Sequence, residues 1–224
     1  MKIKITLLTL FLSMGLFAQK TIEKDLGNFH TLKVFDLMEV NLIQSDENKV
    51  VIKGKDTHYV KIINQNGKLK LRMELDNRFD GAQTFIEVYF TNIKLIDANE
   101  GAVIVANELI EQDRIELRSQ EGGKIKVGLK VDDVKVKAVT GGIVQASGLA
   151  KYQEIKLNTG GIFEGRELET QTTKIAITAA GEAEVNAEDL VDASITAGGD
   201  IYIYGDPKEV NRKQLAGGRI KIMQ

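Results

Sequence analysis

Seven glycine-centred turns recur through the second half of the chain at nearly constant intervals. The turns are Glu100-Gly101-Ala102, Glu121-Gly122-Gly123, Thr140-Gly141-Gly142, Thr159-Gly160-Gly161, Ala179-Ala180-Gly181, Ala197-Gly198-Gly199 and Ala216-Gly217-Gly218. The last members of successive triplets differ in residue number by 21, 19, 19, 20, 18 and 19. A short period sustained over six intervals is typical of solenoids, in which each repeat forms one coil stacked on the next.

The residues on both sides of each turn alternate between apolar and polar. Two and four positions after a turn they are apolar or small, as in Ile125 and Val127. Four and six positions before the next turns they are apolar again, as in Ile155 and Leu157. Strict alternation rich in Val and Ile predicts half-buried β-strands. The first repeat is less regular, because Val103–Val105 leaves the phase of its strand ambiguous.

A unit of about 19 residues cannot bury its apolar face alone, whereas stacked units enclose a continuous apolar column. We therefore predict an all-β fold, a right-handed parallel β-helix (β-solenoid) with an N-terminal β capping region. Rungs spaced by ~4.8 Å would give seven coils a length of roughly 34 Å. The alternative is an antiparallel sandwich or barrel, but turns in those folds vary more in length and chemistry than these do.

The turn glycines are the structural positions that the sequence singles out. A sharp corner between strands needs a positive φ or room for an adjacent backbone, and glycine supplies both. An alternative is that a narrow Gly/Thr/Ala edge lets another chain or a flat glycan approach. We expect a valine at Gly161 or Gly199 to impair folding before it impairs binding. The predicted structural glycines are Gly101, Gly122, Gly123, Gly141, Gly142, Gly160, Gly161, Gly181, Gly198, Gly199, Gly217 and Gly218.

The N-terminal third lacks glycine-pair turns but also consists of strand-like segments. Residues 19–91 are predicted to form N-terminal strands and a solenoid cap, in one continuous domain with the repeats of residues 92–224. Asn66-Gly67 is a good hairpin signal. The predicted strands are Thr31–Asp36, Met38–Gln44, Lys49–Gly54, Tyr59–Asn64, Lys68–Leu75 and Thr84–Thr91.

The last predicted strand carries Ile220 and Ile222, close to Gln224, so no C-terminal cap is expected. Its edge would be guarded by Arg219 and Lys221 or covered by a partner. A homo-oligomer, such as a trimer, assembled through this edge is one expectation.

Residues 1–18 are predicted to be a secretory signal peptide. Met1–Lys4 is basic, Ile5–Phe17 is an uncharged, largely apolar run, and Ala18 precedes a polar stretch. The run is short for a membrane span, although an uncleaved anchor is the alternative. We expect export to the periplasm, the outer-membrane surface or the extracellular medium.

Composition excludes several functional classes. The chain has 21 Gly, one Pro and no Cys, so it can form no disulfide, cysteine-based zinc site or cysteine nucleophile. Its 30 basic and 32 acidic residues leave a net charge of −2, which gives no expectation of nucleic-acid binding.

No catalytic, cofactor-binding or metal site is predicted. The two histidines, His30 and His58, are isolated, and residues 76–81 resemble a calcium loop only in part, so a turn is expected there. Carboxylates recur between the repeats, where one column could bind Ca²⁺ or act as bases, but interleaved basic residues favour a solvated face of mixed charge. These carboxylates are Asp132, Asp133, Glu167, Glu169, Glu188, Asp189 and Asp192. The interleaved basic residues are Lys130, Lys151 and Arg166.

Four features occur together in this chain: the predicted signal peptide, Phe29–Val34 running into Met38–Gln44, the Gly67–Leu71 segment and the repeated glycine turns. They resemble the bacterial head GIN domain family, and the resemblance spans about residues 25–224. The resemblance implies the head of an auto-transporter adhesin with a pectin-lyase-like β-helix, in which the catalytic residues of pectin lyases are not recognisable. It also implies trimeric, adhesin-like assembly. Neither the heptad stalk nor the membrane-anchor domain of a complete adhesin is expected in these 224 residues.

The sequence therefore predicts a secreted, non-catalytic binding or adhesion module of the bacterial cell envelope. Its partner would be a surface glycan or an envelope protein. The alternatives are a polysaccharide lyase or hydrolase on the same architecture, or a structural envelope protein that assembles through its C-terminal edge.

Overall fold

The computed structural model describes residues 21–223, so the predicted signal peptide at 1–18 lies outside the described residues. Apart from three single-turn 3-10 helices at Thr57–Tyr59, Leu75–Asn77 and Gly81–Gln83, the regular structure in this part is β. No helix of the described chain has the length and apolar character to span a membrane. The strands are β1 (Ile22–Asp25), β2 (Thr31–Val34), β3 (Glu39–Gln44), β4 (Lys49–Gly54), β5 (Val60–Gln65), β6 (Lys68–Met73), β7 (Thr84–Phe90), β8 (Leu95–Ala98), β9 (Val103–Gln120), β10 (Lys124–Val139), β11 (Ile143–Asn158), β12 (Gly161–Ala179), β13 (Gly181–Ala197), β14 (Asp200–Tyr204), β15 (Glu209–Ala216) and β16 (Arg219–Ile222).

The intervals between the glycine turns equal the sequence offset between paired residues in a parallel sheet. β10 pairs with β11 so that Lys124 lies beside Ile143, one repeat later along the chain. The shortest interval, between Gly181 and Gly199, reappears where Glu182 pairs with Asp200. Each strand from β9 onward is parallel to the next coil's strand, which excludes the antiparallel sandwich. The prediction of a β-solenoid is confirmed, with about seven coils, while the right-handedness of the coil stays a prediction.

The apolar residues that flank the turns form the interior of the rod. The position two residues after each turn is aligned from coil to coil and is buried in every coil from β9 to β14. The residues of this column are Ile104, Ile125, Val144, Phe163, Ala183 and Ile201. Ile104 settles the ambiguous phase of the first repeat, because it is buried while Val103 and Val105 are only half-buried.

A second corner of each coil comes from a break in the alternation. In β10, Val131 and Val134 both point inward, and the two residues between them, Asp132 and Asp133, are partly exposed. Two successive outward residues redirect the strand without interrupting its pairing with β11, where Asp133 lies beside Tyr152. We call this second bend, which recurs in β9, β11 and β12, the charged corner.

The N-terminal strands extend the same sheet. β3 is parallel to both β7 and β9, and β2 is parallel to both β6 and β8, so these short strands add rungs before the first long coil. The outer strands are antiparallel, since β4 pairs with β7, β1 with β4, and β5 with β6. The β5–β6 hairpin turns at Asn66-Gly67, as predicted. The capping role of these strands and the boundary at residue 91 stay predictions.

The first glycine turn has a counterpart in the N-terminal third that contains no glycine. Asp36 and Leu37, between β2 and β3, both have a φ of 59°. The Leu37 amide donates to the Glu100 carbonyl (3.0 Å), and the Gly101 amide in turn donates to the Glu121 carbonyl (3.0 Å). The turns therefore form a hydrogen-bonded ladder that begins one coil before the glycines do.

Candidate binding groove

The charged corners of successive coils line a groove along the side of the rod. One part has a volume of about 540 Å³ and an adjoining part about 780 Å³, and the two share Gln112, Asp113 and Asp132. A smaller hollow of about 300 Å³ continues past Asp133 and Tyr152. Because each coil contributes the same bend, the groove crosses several rungs of a rigid sheet. We refer to these three hollows together as the binding groove.

Ion pairs between neighbouring coils hold the charges of the groove. Lys130 lies 3.0 Å from Glu111, and Lys151 lies 2.7 Å from Asp132. The partners of each pair are one repeat apart in sequence, because register places them side by side on adjacent strands. The pairs fix exposed side chains in place, although each exposed pair adds little to stability.

Carboxylates outnumber cations in the two larger parts of the groove. The carboxylates are Glu111, Asp113, Glu116, Asp132, Asp133, Glu169 and Glu188. The cations are Lys94, Arg114, Lys130, Lys135 and Lys151. Two exposed apolar side chains accompany them, Leu149 and Tyr152, each about half exposed.

A buried polar cluster lies behind the groove wall. Gln153, only 3% exposed, accepts a hydrogen bond through its Oε1 from the Thr173 hydroxyl (3.1 Å). The Thr170 hydroxyl donates to the Asn186 carbonyl (2.7 Å) and lies 2.8 Å from that of Thr173. The Nε2 of Gln153 and the Oε1 of Gln112 are buried without hydrogen-bond partners. Each of these unpaired amide atoms carries the desolvation cost of a buried polar group without a partner.

The pKa shifts near the charged corners stabilise the charged forms of a lysine and a glutamate. The hydrogen bond from Lys151 to Asp132 raises the pKa of that lysine above its ordinary value. The hydrogen bond from Lys156 lowers the pKa of Glu154. General acid–base catalysis at neutral pH needs shifts in the opposite directions, toward 7. The one carboxyl of the described chain with a raised pKa is Glu100, at a turn away from the groove, where burial and Asp36 disfavour its charge.

The structure separates the predicted carboxylates into several environments. Four of them, Asp132, Asp133, Glu169 and Glu188, line the groove. Glu167 borders a separate hollow on the outer face. Asp189 is paired with Lys208 at 2.6 Å. Asp192 lies on β13 beside Lys174.

The interleaved basic residues and the isolated histidines also have identifiable surroundings. Lys130 and Lys151 form the ion pairs described above, and the Arg166 guanidinium lies 4.6 Å from the ring centre of Tyr204. His30 contacts the Thr31 hydroxyl, and His58 packs against Tyr59. No group of three or more potential metal ligands occurs in residues 21–223.

The predicted turn glycines lie at a different corner of the coil from the groove. They lie at the junctions between the strands from β8 to β16, at least eight residues along the chain from the nearest charged corner. Sequence reasoning did not locate the groove, yet two signals for it exist. One is the pair of outward residues between inward ones, and the other is a carboxylate followed by a cation one repeat later, as at Glu111 and Lys130.

Comparison with known proteins finds a bacterial family that covers most of the chain. A model of the family described as "Putative auto-transporter adhesin, head GIN domain" matches residues 28–207. No curated protein matches the chain.

Solved structures of low sequence identity share the fold. A protein named a putative adhesin from Bacteroides fragilis superposes with a TM-score of 0.85 at 16% identity, covering 92% of this chain and 97% of that one. A putative adhesin from Parabacteroides merdae gives 0.71 at 18% identity, covering 92% and 96%. A protein named a putative lipid binding protein from Parabacteroides distasonis gives 0.69 at 15% identity, covering 92% and 97%.

Proposed function

Because the chain belongs to the head GIN domain family of auto-transporter adhesins, we propose that it is an exported, non-catalytic adhesion module of the cell envelope. The observation that carries the proposal is the groove, which crosses several coils and in which four ion pairs join neighbouring coils. A surface held in place before the ligand arrives loses less entropy on binding.

The chemistry of the groove favours a polar glycan without acidic groups as its ligand. Carboxylate oxygens accept hydrogen bonds from sugar hydroxyls, and the exposed side chains of Leu149 and Tyr152 offer apolar contact to sugar rings. The excess of carboxylates disfavours uronic-acid polymers, the substrates expected of the lyase alternative. Asp132 and Asp133 are engaged in ion pairs with Lys151 and Arg114, at 2.7 and 3.1 Å.

The proposal is tested with the chain from residue 19 onward on an array of neutral, amine-bearing and acidic glycans. We expect binding to neutral or amine-bearing glycans, a loss of about tenfold for Leu149→Ala with Tyr152→Ala, and no loss for Leu215→Ala. Leu215 is an exposed leucine outside the groove and serves as the matched control. A folded protein that binds no neutral or amine-bearing glycan above background would contradict adhesion through the groove, and release of unsaturated sugars from a polyuronate would establish the lyase instead.

Location needs its own experiment. We propose that the mature chain is displayed outside the cytoplasm, and surface proteolysis of intact cells separates an outer-surface protein from a periplasmic one. A chain protected until the outer membrane is opened could not serve as an adhesin.

A further inference from the structure

One outer face of the rod carries a line of cations that the groove does not use. Register aligns one outward position of six neighbouring strands, β6, β2, β8, β9, β10 and β11, in that spatial order. The residues at that position are Lys70, Lys33, Asp97, Arg118, Lys137 and Lys156. We call the five basic residues of this line the cationic column.

The single carboxylate in the line does not interrupt its positive surface. Asp97 is only 1% exposed and lies 2.6 Å from the Lys33 Nζ, so its charge is buried and compensated. Arg118 and Lys156 each form an ion pair with a glutamate of their own strand, with a nitrogen–oxygen distance of 2.7 Å in both pairs. Lys70 and Lys137 are exposed, and no ion pair of the described residues involves them.

The adjoining outward position adds further positive charge. Together the two positions carry eight basic residues and three acidic ones from β6 to β12, in a chain that has more acidic residues than basic ones overall. The hydrogen bond with Lys156 is the main cause that lowers the pKa of Glu154, and the positive charges of Lys135 and Lys174 lower it further. The positive charge is therefore concentrated on this face of the molecule.

We propose that the cationic column is a docking surface for a linear polyanionic glycan that lies along the rod axis. Successive rungs are ~4.8 Å apart, so an extended polymer with regularly spaced acidic groups meets a cation on nearly every rung. The charges of the face and of such a polymer are complementary. None of the five column residues lines the groove of the proposed function, which borders the adjoining position at Lys135 and Lys174.

The composition of the surface distinguishes a glycan from other polyanions. None of the exposed large apolar side chains belongs to the two aligned positions, so the face has nothing to insert into a lipid bilayer. No aromatic ring lies between the cations to stack on bases, and four of the five cations are lysines, which act as point charges. These features suit spaced carboxylate or sulfate groups better than a nucleic acid.

The test measures binding to immobilised linear alginate as a function of salt concentration, with uncharged dextran as the blank. We expect alginate to be bound, with affinity falling as salt rises. In the variant Lys70→Gln/Lys137→Gln/Lys156→Gln the affinity should fall by about tenfold or more, and the slope of log affinity against log salt should flatten by about three.

The matched control is Lys53→Gln/Lys208→Gln/Lys221→Gln, which removes three exposed lysines that belong neither to the column nor to the groove. It should bind alginate within about twofold of the parent, because only overall charge has changed. Equal losses in the two variants, or undiminished binding by the first, would overturn the proposal. So would binding of duplex DNA or of phosphatidylglycerol vesicles as tight as that of alginate. Since the groove is judged by its binding of neutral and amine-bearing glycans and by different variants, the two proposals fail independently.

Discussion

At the scale of single residues, the turn glycines are required for two different reasons. Gly160 has a φ of 75° and open space where a Cβ would lie, so its replacement meets backbone strain alone. Gly161 has no positive φ, but its Cβ would collide with the carbonyl oxygen of Ala138 on the preceding coil. The first glycine shapes its own turn, whereas the second allows neighbouring coils to approach.

We expect Gly161→Ala to destabilise the fold more than Gly160→Ala. The left-handed conformation costs an alanine about 1–2 kcal/mol, whereas overpacking against a neighbouring backbone costs about 3 kcal/mol. Urea unfolding of both variants, followed by circular dichroism, gives the two free energies. Equal losses would show that the spacing between coils adjusts freely at this corner.

Glu100 makes the stability of the first coil dependent on pH. Its Oε1 is 3.1 Å from Arg78, but burial and the neighbouring Asp36 raise its pKa above the ordinary value of 4.5. Glu121 faces it from the next coil and raises the pKa further. A carboxyl whose pKa is raised by folding contributes stability that is present below the unfolded pKa and is lost as pH rises through the folded pKa.

Glu100→Gln removes this dependence, because glutamine does not ionise. The variant should therefore be more stable than the parent near pH 8, and its advantage should shrink as pH falls toward about 4. Unfolding midpoints in urea across this range provide the measurement. The matched control is Glu108→Gln, an exposed glutamate of β9 that does not act on the pKa of Glu100, so the pH dependence of the parent should persist in this variant. An advantage independent of pH would show that Glu100 is not held protonated by its neighbours.

At the scale of strands, the buried polar cluster interrupts an otherwise apolar column. Register aligns Ile115, Val134, Gln153, Thr173 and Val191 at one inward position of successive coils. The hydroxyl of Thr173 satisfies the Oε1 of Gln153, while the Nε2 of the same amide has no partner. Removing one member of such a cluster leaves a buried polar group unpaired and lowers the free energy of unfolding. Replacing both partners by apolar side chains leaves no such group and changes the stability little.

Thr173→Val alone should destabilise the protein by about 1–2 kcal/mol, because it leaves the buried amide oxygen of Gln153 unpaired. Gln153→Leu together with Thr173→Val should restore or exceed the parent stability. The double variant has neither the Nε2 of Gln153, which is unpaired in the parent, nor the Oε1 that Thr173→Val alone leaves unpaired. The coupling is obtained from the double-mutant cycle in urea. Additive losses would mean that the two side chains do not act as a unit.

The strands also show what the sequence could and could not predict. Constant intervals between glycine turns predicted the coil length and the inward residues, because the register of stacked coils must equal the repeat. The turn at Asp36 and Leu37 was not predicted, because it adopts positive φ values without glycine. It also connects β2 and β3, whose neighbouring strands are distant in sequence. The groove likewise depends on contacts between coils, such as Lys151 with Asp132, that become visible only once the register is known.

At the scale of the whole molecule, the last coil decides whether rods can stack end to end. Among the described residues, β15 pairs with β13 and β16 with β14, and neither strand has a second neighbour. At the inward positions of this coil, Ile220 and Ile222 continue the apolar column, but Arg212 and Gln214 stand beside buried Ala193 and Ile195. A charge at an inward position of an edge strand is a recognised obstacle to pairing with another chain.

We expect Arg212 and Gln214 to oppose the predicted assembly through this edge. A twofold pairing of two such edges would bring these polar groups into the joined column, where burying them without partners is unfavourable. We expect the mature chain to be mainly monomeric at micromolar concentration. Arg212→Val with Gln214→Val should raise the association constant by at least about tenfold, because two valines would complete the apolar column.

Light scattering after size-exclusion chromatography, over a range of protein concentrations, measures this association. The control is Asn211→Val with Lys213→Val, which adds the same side chains to outward positions of the same strand. Equal association of the two variants would indicate non-specific self-association through exposed apolar side chains. A parent chain that already forms a dimer or trimer, unchanged in mass by either pair of substitutions, would show that the rods assemble through a surface other than this edge.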